Sequence, residues 1–242
     1  MAENKWGEVR FPGLYYIHTF NELGKPEKAA LYRTCLDVIQ GGCRLVQLRY
    51  KGAWSRALAE ELRLILHDFH GSDALFLLND RAEWARETGA DGVHVGEDGD
   101  TPAALARQTL GPGALIGATA KNPMQLRAAL EGNVDYVSWG ALYPSATKPD
   151  AIPGEVSAIP QRRAELPPSV RLCVIGGITL ERIPEIFRYP GADLIAVGGA
   201  IQHAKDPELE AMKFIDAIRL ASGDTRPPLQ AYGGTALDRE GE

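Results

Sequence analysis

RLCVIGGITLERIPEIFRYPGADLIAVGGAI, residues 171–201, is the stretch whose pattern decides the fold. Arg171–Ile175 (RLCVI) is a short apolar run, Thr179–Phe187 an amphipathic helical stretch, and Asp193–Val197 (DLIAV) a second apolar run. Strand, helix and strand in that order predict parallel pairing through a right-handed crossover. Each strand ends on a glycine pair, Gly176–Gly177 and Gly198–Gly199.

The same unit recurs upstream. Strands are predicted at Gly13–His18, Arg44–Tyr50, Ala74–Leu78, Gly92–Val95, Ala114–Ala118 and Asp135–Trp139. Helices are predicted at Glu27–Gln40, Ala53–Phe69, Arg81–Thr88, Thr101–Leu110, Pro123–Glu131 and near Ser157–Glu165, with Pro207–Ala221 closing the series. On the first helix Ala30, Leu31, Leu36 and Ile39 are candidate core positions. Eight strands alternating with eight helices over about 210 residues predict an α/β fold, a single (β/α)8 TIM barrel. An open doubly wound sheet fits less well, because no GxGxxG follows His18. Residues 1–12 are expected to be an N-terminal extension, frayed over Met1–Arg10. Residues 13–221 form the barrel, and residues 222–242 a mobile tail rich in Pro-Pro and Gly-Gly.

Composition excludes several classes. The 242 residues are 45% hydrophobic and 24% charged, enough to bury a sizeable core. There are 26 Lys+Arg against 32 Asp+Glu, a net charge of −6, with no basic block. Nucleic acid and anionic membrane are therefore not expected as partners. No apolar stretch approaches the roughly 18 residues of a membrane span. The start, MAENKWGEVRFPG, has no apolar signal region, so a cytoplasmic chain is expected. Cys35, Cys43 and Cys173 lie in apolar segments without CxxC spacing and read as small buried hydrophobes in a reducing compartment. A homo-oligomer is left open.

In a barrel of this kind chemistry sits at the C-terminal strand ends. Those ends carry Gln47, Arg49 and Lys51 (QLRYK), Asn79 and Asp80 (LLNDR), Glu97, Asp98 and Asp100 (GVHVGEDGD), and Thr119 and Lys121. After strand six comes GALYPSATKPDAIPG, with Ser145, Thr147 and Lys148. Three sub-sites emerge. The two glycine pairs, beside a short helix starting near Ala200, suit a phosphate cradle; one pair alone would read as a turn. Asp80 and Asp100 could share Mg²⁺ with substrate phosphates, or be two solvated acids. Arg49, Lys51 and Lys148 form either a second anion site or a salt-bridged surface. Two anion sites plus a metal suggest a reaction between two phosphorylated molecules with pyrophosphate leaving. His94 reads as a hydrogen-bonded barrel histidine, His67 and His70 as a surface pair, Trp139 as packing, and His18 as a substrate contact at the mouth.

QLRYK, LLNDR, GVHVGEDGD, DYVSWGALYPSATK, VIGGI and GADLIAVGGAI occur in that order from about Gly13 to Pro207. Together they resemble the thiamine-phosphate synthase family, whose enzymes join the pyrimidine and thiazole halves of thiamine. The resemblance implies a Mg²⁺-dependent transferase acting on an aminopyrimidine diphosphate and a thiazole phosphate. It assigns Gln47 and Asn79 to the pyrimidine, and Arg49, Lys51 and Lys148 to the diphosphate. It makes Asp80 and Asp100 the Mg²⁺ ligands and Thr119 a pyrophosphate contact. It places Ser145, Thr147, Gly177, Gly198 and Gly199 around the thiazole phosphate. Departures from the family pattern are Tyr50 in place of an acid, GEDGD in place of GQ-x-D, Lys121 in place of a His, Ala141 in place of a Pro, and Gly199 in place of a frequent Ser. The frame through Arg107 favours Asp100 as the second ligand, with Asp98 as the alternative. Rival readings are a thiazole tautomerase, which needs neither the carboxylate pair nor a pyrimidine pocket, and a catalytically weak paralogue.

Overall fold

Alternation along the strands sorts the side chains into two cores. In β1 (Gly13–Phe20) Tyr15 and Ile17 join an inner cluster, whereas Leu14 and Tyr16 join an outer one. The same parity runs through β2 (Leu45–Tyr50), β3 (Leu75–Asn79), β4 (Gly92–Val95), β5 (Leu115–Thr119), β6 (Tyr136–Gly140), β7 (Arg171–Ile175) and β8 (Leu194–Val197). All eight strands are parallel and close as β1 through β8 and back to β1. The structure, a computed structural model, describes residues 9–96, 101–144 and 152–226. It establishes the (β/α)8 barrel expected from the alternation.

The helices pack outside. They are α1 (Lys25–Gln40), α2 (Arg56–Asp68), α3 (Ala82–Thr88), α4 (Ala103–Leu110), α5 (Pro123–Glu131), α6 (Ile159–Ala164), α7 (Ile183–Ile186), α8 (Gly199–Gln202) and α9 (Pro207–Ser222). α1 buries Leu31, Cys35, Val38 and Ile39, and each such apolar side chain contributes about 1.5–3 kcal/mol. Ala30, expected in this core, is exposed, and Leu36 is half-buried. Ala30 precedes Leu31 by one residue and so sits about 100° round the helix from it. The helices expected at Ser157–Glu165 and Thr179–Phe187 each divide into a 3-10 turn, Val156–Ala158 or Leu180–Arg182, and a short α segment. In both, a proline (Pro160, Pro184) occupies the first α turn, where its missing N–H costs no hydrogen bond. Side-chain caps set other starts: Asn122 accepts from the Gln125 amide and Asp206 from the Leu209 amide, each at 2.9 Å.

The N-terminal face of the barrel carries stability. Asp91, Asp135 and Asp193 stand just before β4, β6 and β8. Their carboxylates accept the backbone N–H of Phe76, Ile116 and Leu172 at 2.9, 2.7 and 2.9 Å, tying each of these strands to its preceding neighbour, β4 to β3, β6 to β5 and β8 to β7. Val9 is buried in the inner cluster with Tyr15, Leu45 and Leu75, and Phe11 packs against it. The frayed reading of Met1–Arg10 is thus corrected at Val9, which covers apolar side chains that an open barrel end would expose to water. The start of the tail is likewise tied, since Arg226 donates to Phe11 O at 3.0 Å and pairs with Asp224 at 2.7 Å. Residues 1–8 and 227–242 lie outside the described residues. Among the described residues no helix is long and apolar enough to cross a membrane.

Candidate active site

The inward parity of β2 and β3 brings Gln47, Arg49 and Asn79 to the C-terminal mouth. Gln47 is buried, and its Nε2 donates to Asn79 Oδ1 at 2.5 Å. Asn79 Nδ2 donates in turn to Asp80 Oδ2. The other carboxylate oxygen, Oδ1, accepts the Gly96 backbone N–H at 2.5 Å. Asp80 sits at φ 65°, a left-handed conformation that Asp tolerates better than most residues. Its backbone N–H reaches His94 O at 2.8 Å. The carboxylate is therefore held at the β3 end by its neighbours on both sides.

Beside it, Arg49 Nη1 is buried without a hydrogen-bond partner among the described residues. Burial lowers the Arg49 pKa from its ordinary value, and the Asp80 charge opposes that shift. An orphaned guanidinium N–H in a partly dry site favours an incoming anion. Lys51 is exposed next to it. Tyr50 has the opposite parity. Its ring packs between Phe20 at 5.1 Å and Trp54 at 5.6 Å, and Trp54 stacks on Trp84. The Tyr50 departure from the family pattern therefore supplies outer-face packing at the end of β2.

On the far side, Thr119 ends β5 with Oγ1 3.0 Å from His94 Nε2, and His94 Nδ1 lies 2.9 Å from the Tyr136 hydroxyl. His94 is hydrogen-bonded inside the barrel, as expected.

The glycine pairs form the second half of the mouth. Gly177 has φ 62°, and a Cβ there would meet Pro144 O at 2.3 Å. Only glycine fits this approach of the β7 loop to the β6 loop. Arg182 donates to Gly177 O and lies over the Tyr143 ring at 4.4 Å. Tyr143 donates to Glu185 at 2.8 Å, and burial with the Glu185 contact pushes its pKa up to about 12. At the other pair, Gly198 precedes α8, close to the helix start expected near Ala200. Gln202 on α8 clasps the end of β1, accepting from Thr19 N at 3.0 Å and donating to Thr19 O at 2.7 Å. Sequence reasoning missed Gln202, Arg182 and Tyr143, whose roles depend on loops meeting across strands.

A carboxylate and an orphaned cation thus stand on one side of the mouth, and a glycine-lined rim on the other. Residues 15–201 match the family model described as thiamine monophosphate synthase. The chain belongs to this family. It is 38% identical over 221 residues to the thiamine-phosphate synthase of Anaeromyxobacter dehalogenans, covering 90% of this chain and 94% of that one. It is 37% identical over 188 residues to the thiamine biosynthesis bifunctional protein ThiM/ThiE of Symbiobacterium thermophilum, covering 77% of this chain and 38% of that one. Among solved structures, thiamine phosphate pyrophosphorylase from Pyrococcus furiosus superposes with a TM-score of 0.71 at 26% identity, covering 86% of this chain and 96% of that one.

Several residues named by the family pattern, Asp100, Ser145, Thr147 and Lys148, lie outside the described residues, as do Glu97 and Asp98. His18, expected to touch substrate, does not face the mouth. Its Nδ1 lies 2.8 Å from the Tyr16 hydroxyl, and its ring packs against Tyr16 and Phe20 on the outer side of β1. Even spacing from Tyr16 sets that direction. Trp139 packs in the outer core under Arg162, and His67 and His70 form a surface pair with ring centroids 5.8 Å apart. The three cysteines are buried and unpaired, and burial raises all three thiol pKa values, Cys43 to about 11 and Cys173 to about 12.

Proposed function

We propose that this barrel is a transferase of thiamine biosynthesis that moves an aminopyrimidine-methyl group from its diphosphate to a thiazole phosphate. The products are thiamine phosphate and pyrophosphate. The observation that carries the reading is Arg49 Nη1, buried, unpartnered among the described residues and beside Asp80 at the mouth of a barrel of this family. Gln47 and Asn79 hold the pyrimidine. Arg49 and Lys51, with Lys148, bind the diphosphate, and Thr119 contacts it. Gly177, Gly198 and Gly199 offer backbone N–H groups to the thiazole phosphate, with Ser145 and Thr147. The thiazole nitrogen gives its lone pair to the pyrimidine methylene carbon. The carbon–oxygen bond to the diphosphate breaks, and its electron pair leaves on pyrophosphate. This needs no enzyme nucleophile, so charge stabilisation of the leaving group dominates.

Asp80 offers hard carboxylate oxygens already oriented by Asn79 and Gly96, a donor suited to Mg²⁺. Asp80 and Asp100 would hold the ion, which when bound adds positive charge next to the departing pyrophosphate. The reaction belongs in the cytoplasm, where three free thiols stay reduced. The test is pyrophosphate release with each substrate alone, with both, and after chelation of Mg²⁺. Release should require both substrates and the metal. Undiminished turnover without metal would overturn the metal assignment. Conversion of a thiazole phosphate isomer without pyrophosphate release would replace the synthase reading with a tautomerase.

A further inference from the structure

The β6–β7 pairing continues past the strand ends. Gly140, the last residue of β6, is in register with Ile175. Beyond it Leu142 donates its backbone N–H to Ile175 O at 2.8 Å, and Tyr143 donates to Gly176 O at 3.1 Å. Two loops thus run side by side toward the glycine pair. Their approach leaves no room for side chains: a Cβ on Gly176 would lie 2.5 Å from Ala141 Cα, and one on Gly177 2.3 Å from Pro144 O. At Gly177 this ladder ends. The Gly177 carbonyl is taken instead by Arg182, at the end of the 3-10 turn Leu180–Arg182.

One helical turn grips both loops. Arg182 and Glu185 are three residues apart and so are neighbours on its surface. Arg182 holds the β7 loop at Gly177 O and lays its guanidinium over the Tyr143 ring, 4.4 Å from the centroid. Glu185 accepts the Tyr143 hydroxyl at 2.8 Å and so holds the β6 loop. These roles cannot reverse, because a guanidinium only donates and a carbonyl or carboxylate only accepts. The Gly177–Ile178 peptide is trans, so its N–H points opposite to its C=O. Fixing Gly177 O therefore aims the Ile178 N–H away from Arg182. Among the described residues, neither this N–H nor that of Gly177 has a hydrogen-bond acceptor.

We propose, on the reading that the glycine pairs hold the thiazole phosphate, that Arg182 is a positioning residue for that phosphate. It sets the direction of the Gly177–Ile178 peptide and so presents the Ile178 N–H beside that of Gly177. With Tyr143 and Glu185 it also keeps Gly177 against Pro144. Gly177, at φ 62° and without a Cβ, has a wide range of backbone angles open to it once Arg182 lets go. The phosphate would then have to order that peptide on binding, and the cost would fall on affinity for the thiazole partner. It would not reach Gln47, Arg49, Asn79 and Asp80, which end β2 and β3 on the opposite side of the barrel from β7.

The experiment uses Arg182→Met, which keeps an unbranched stem over Tyr143 and removes the donors, and Arg182→Lys, which keeps a donor and the charge. Circular dichroism confirms folding. KM for the thiazole phosphate should rise about tenfold in Arg182→Met, the scale of one lost charge-assisted hydrogen bond. KM for the aminopyrimidine diphosphate, and kcat with both substrates saturating, should stay within about twofold, and Arg182→Lys should recover most of the loss. Tyr143→Phe, which loses only the Glu185 bond, should move the same KM the same way by about threefold. An unchanged thiazole-phosphate KM in folded Arg182→Met, or an equal rise in both KM values, would overturn the assignment. Amide NMR with orthophosphate as the probe needs no turnover. The Gly177 and Ile178 signals of the wild type should shift on titration, and saturate at about tenfold less phosphate than in Arg182→Met. No shift in the wild type, or equal saturation in the two proteins, would overturn the assignment. If the wild type releases no pyrophosphate with both substrates, the synthase reading fails, and the phosphate titration still decides whether Arg182 positions these amides.

Discussion

Gly96 donates its backbone N–H to Asp80 Oδ1 at 2.5 Å, while Asn79 donates to Asp80 Oδ2. The carboxylate is thus oriented through two donors before any ligand arrives. Asp80→Asn keeps a residue that tolerates the left-handed backbone, so the fold should persist. It removes the charge and sets an amide N–H₂ against one of the two donors. Turnover should fall about a hundredfold or more, as when one preorganised charge-stabilising group is lost. The Mg²⁺ concentration for half activity should rise as well. Steady-state rates across a Mg²⁺ titration check both, and a near-wild-type rate would remove Asp80 from the metal site.

The two glycine pairs respond oppositely to substitution. At Gly177 a methyl would meet Pro144 O at 2.3 Å on a backbone with φ 62°. Gly177→Ala should displace the β7 loop and raise KM for the thiazole phosphate about tenfold or more, since loop and phosphate contacts move together. At Gly199 a Cβ would meet only the His203 side chain, at 3.6 Å. Gly199→Ser therefore fits and adds a hydroxyl donor. KM for the thiazole phosphate should fall about threefold to tenfold, the worth of one hydrogen bond. Initial-rate kinetics on both variants check the ranking, and a weaker KM in Gly199→Ser would place the phosphate elsewhere.

His18 ties stability to pH. Burial, aided by the charge of His203, lowers its pKa from 6.5 to about 4. Between those values the unfolded chain binds a proton that the folded chain refuses, so stability rises with pH there. The contribution is complete above about pH 6.5 and is lost as pH falls toward 4. Its size is about 3 kcal/mol at 1.36 kcal/mol per pKa unit. His18→Gln keeps an acceptor for the Tyr16 hydroxyl and removes the titration. Urea unfolding at several pH values should show a shallower decline for the variant between pH 6.5 and 4. Parallel slopes would show that the imidazole is not held neutral.

The βα period is legible in the sequence because strand and helix lengths, prolines at helix starts and glycine pairs at strand ends all agree. Gln47, Arg49, Asn79 and Asp80 are legible for a related reason: residues at C-terminal strand ends converge whatever the loops do. Parity is the weaker signal. His18 and Tyr50 both lie near the mouth in sequence, although an even step from an outward residue sends each away from it. Tyr15 and Tyr136 look like plain core positions, because a single strand does not show that two inward phenols meet across the barrel. Asp91, Asp135 and Asp193 recur just before alternate strands, yet their backbone partners lie 15 to 21 residues earlier. Such pairings exist only once the sheet has closed.

The second carboxylate of the metal site distinguishes two readings of GEDGD. Asp98 and Asp100 both lie outside the described residues, and the choice rests on sequence. Counting one inserted residue in GEDGD relative to the family pattern keeps Asp100 in frame with Arg107. Arg107 is itself a fixed marker: it donates to Ala114 O at 2.6 Å and pairs with Asp135 at 2.8 Å. A metal ligand removed outright weakens Mg²⁺ binding and slows chemistry together, because the ion links the enzyme to the diphosphate. A solvated neighbour changes either property only slightly. Asp100→Asn should therefore raise the Mg²⁺ concentration for half activity about tenfold or more, and Asp98→Asn by no more than about twofold. Mg²⁺ titrations of the two variants, run beside Asp80→Asn, separate the two readings. The reverse ranking moves the ligand to Asp98. Equal small effects, with Asp80→Asn also mild, would mean that the departing pyrophosphate is stabilised by Arg49 and the lysines without a carboxylate-held ion.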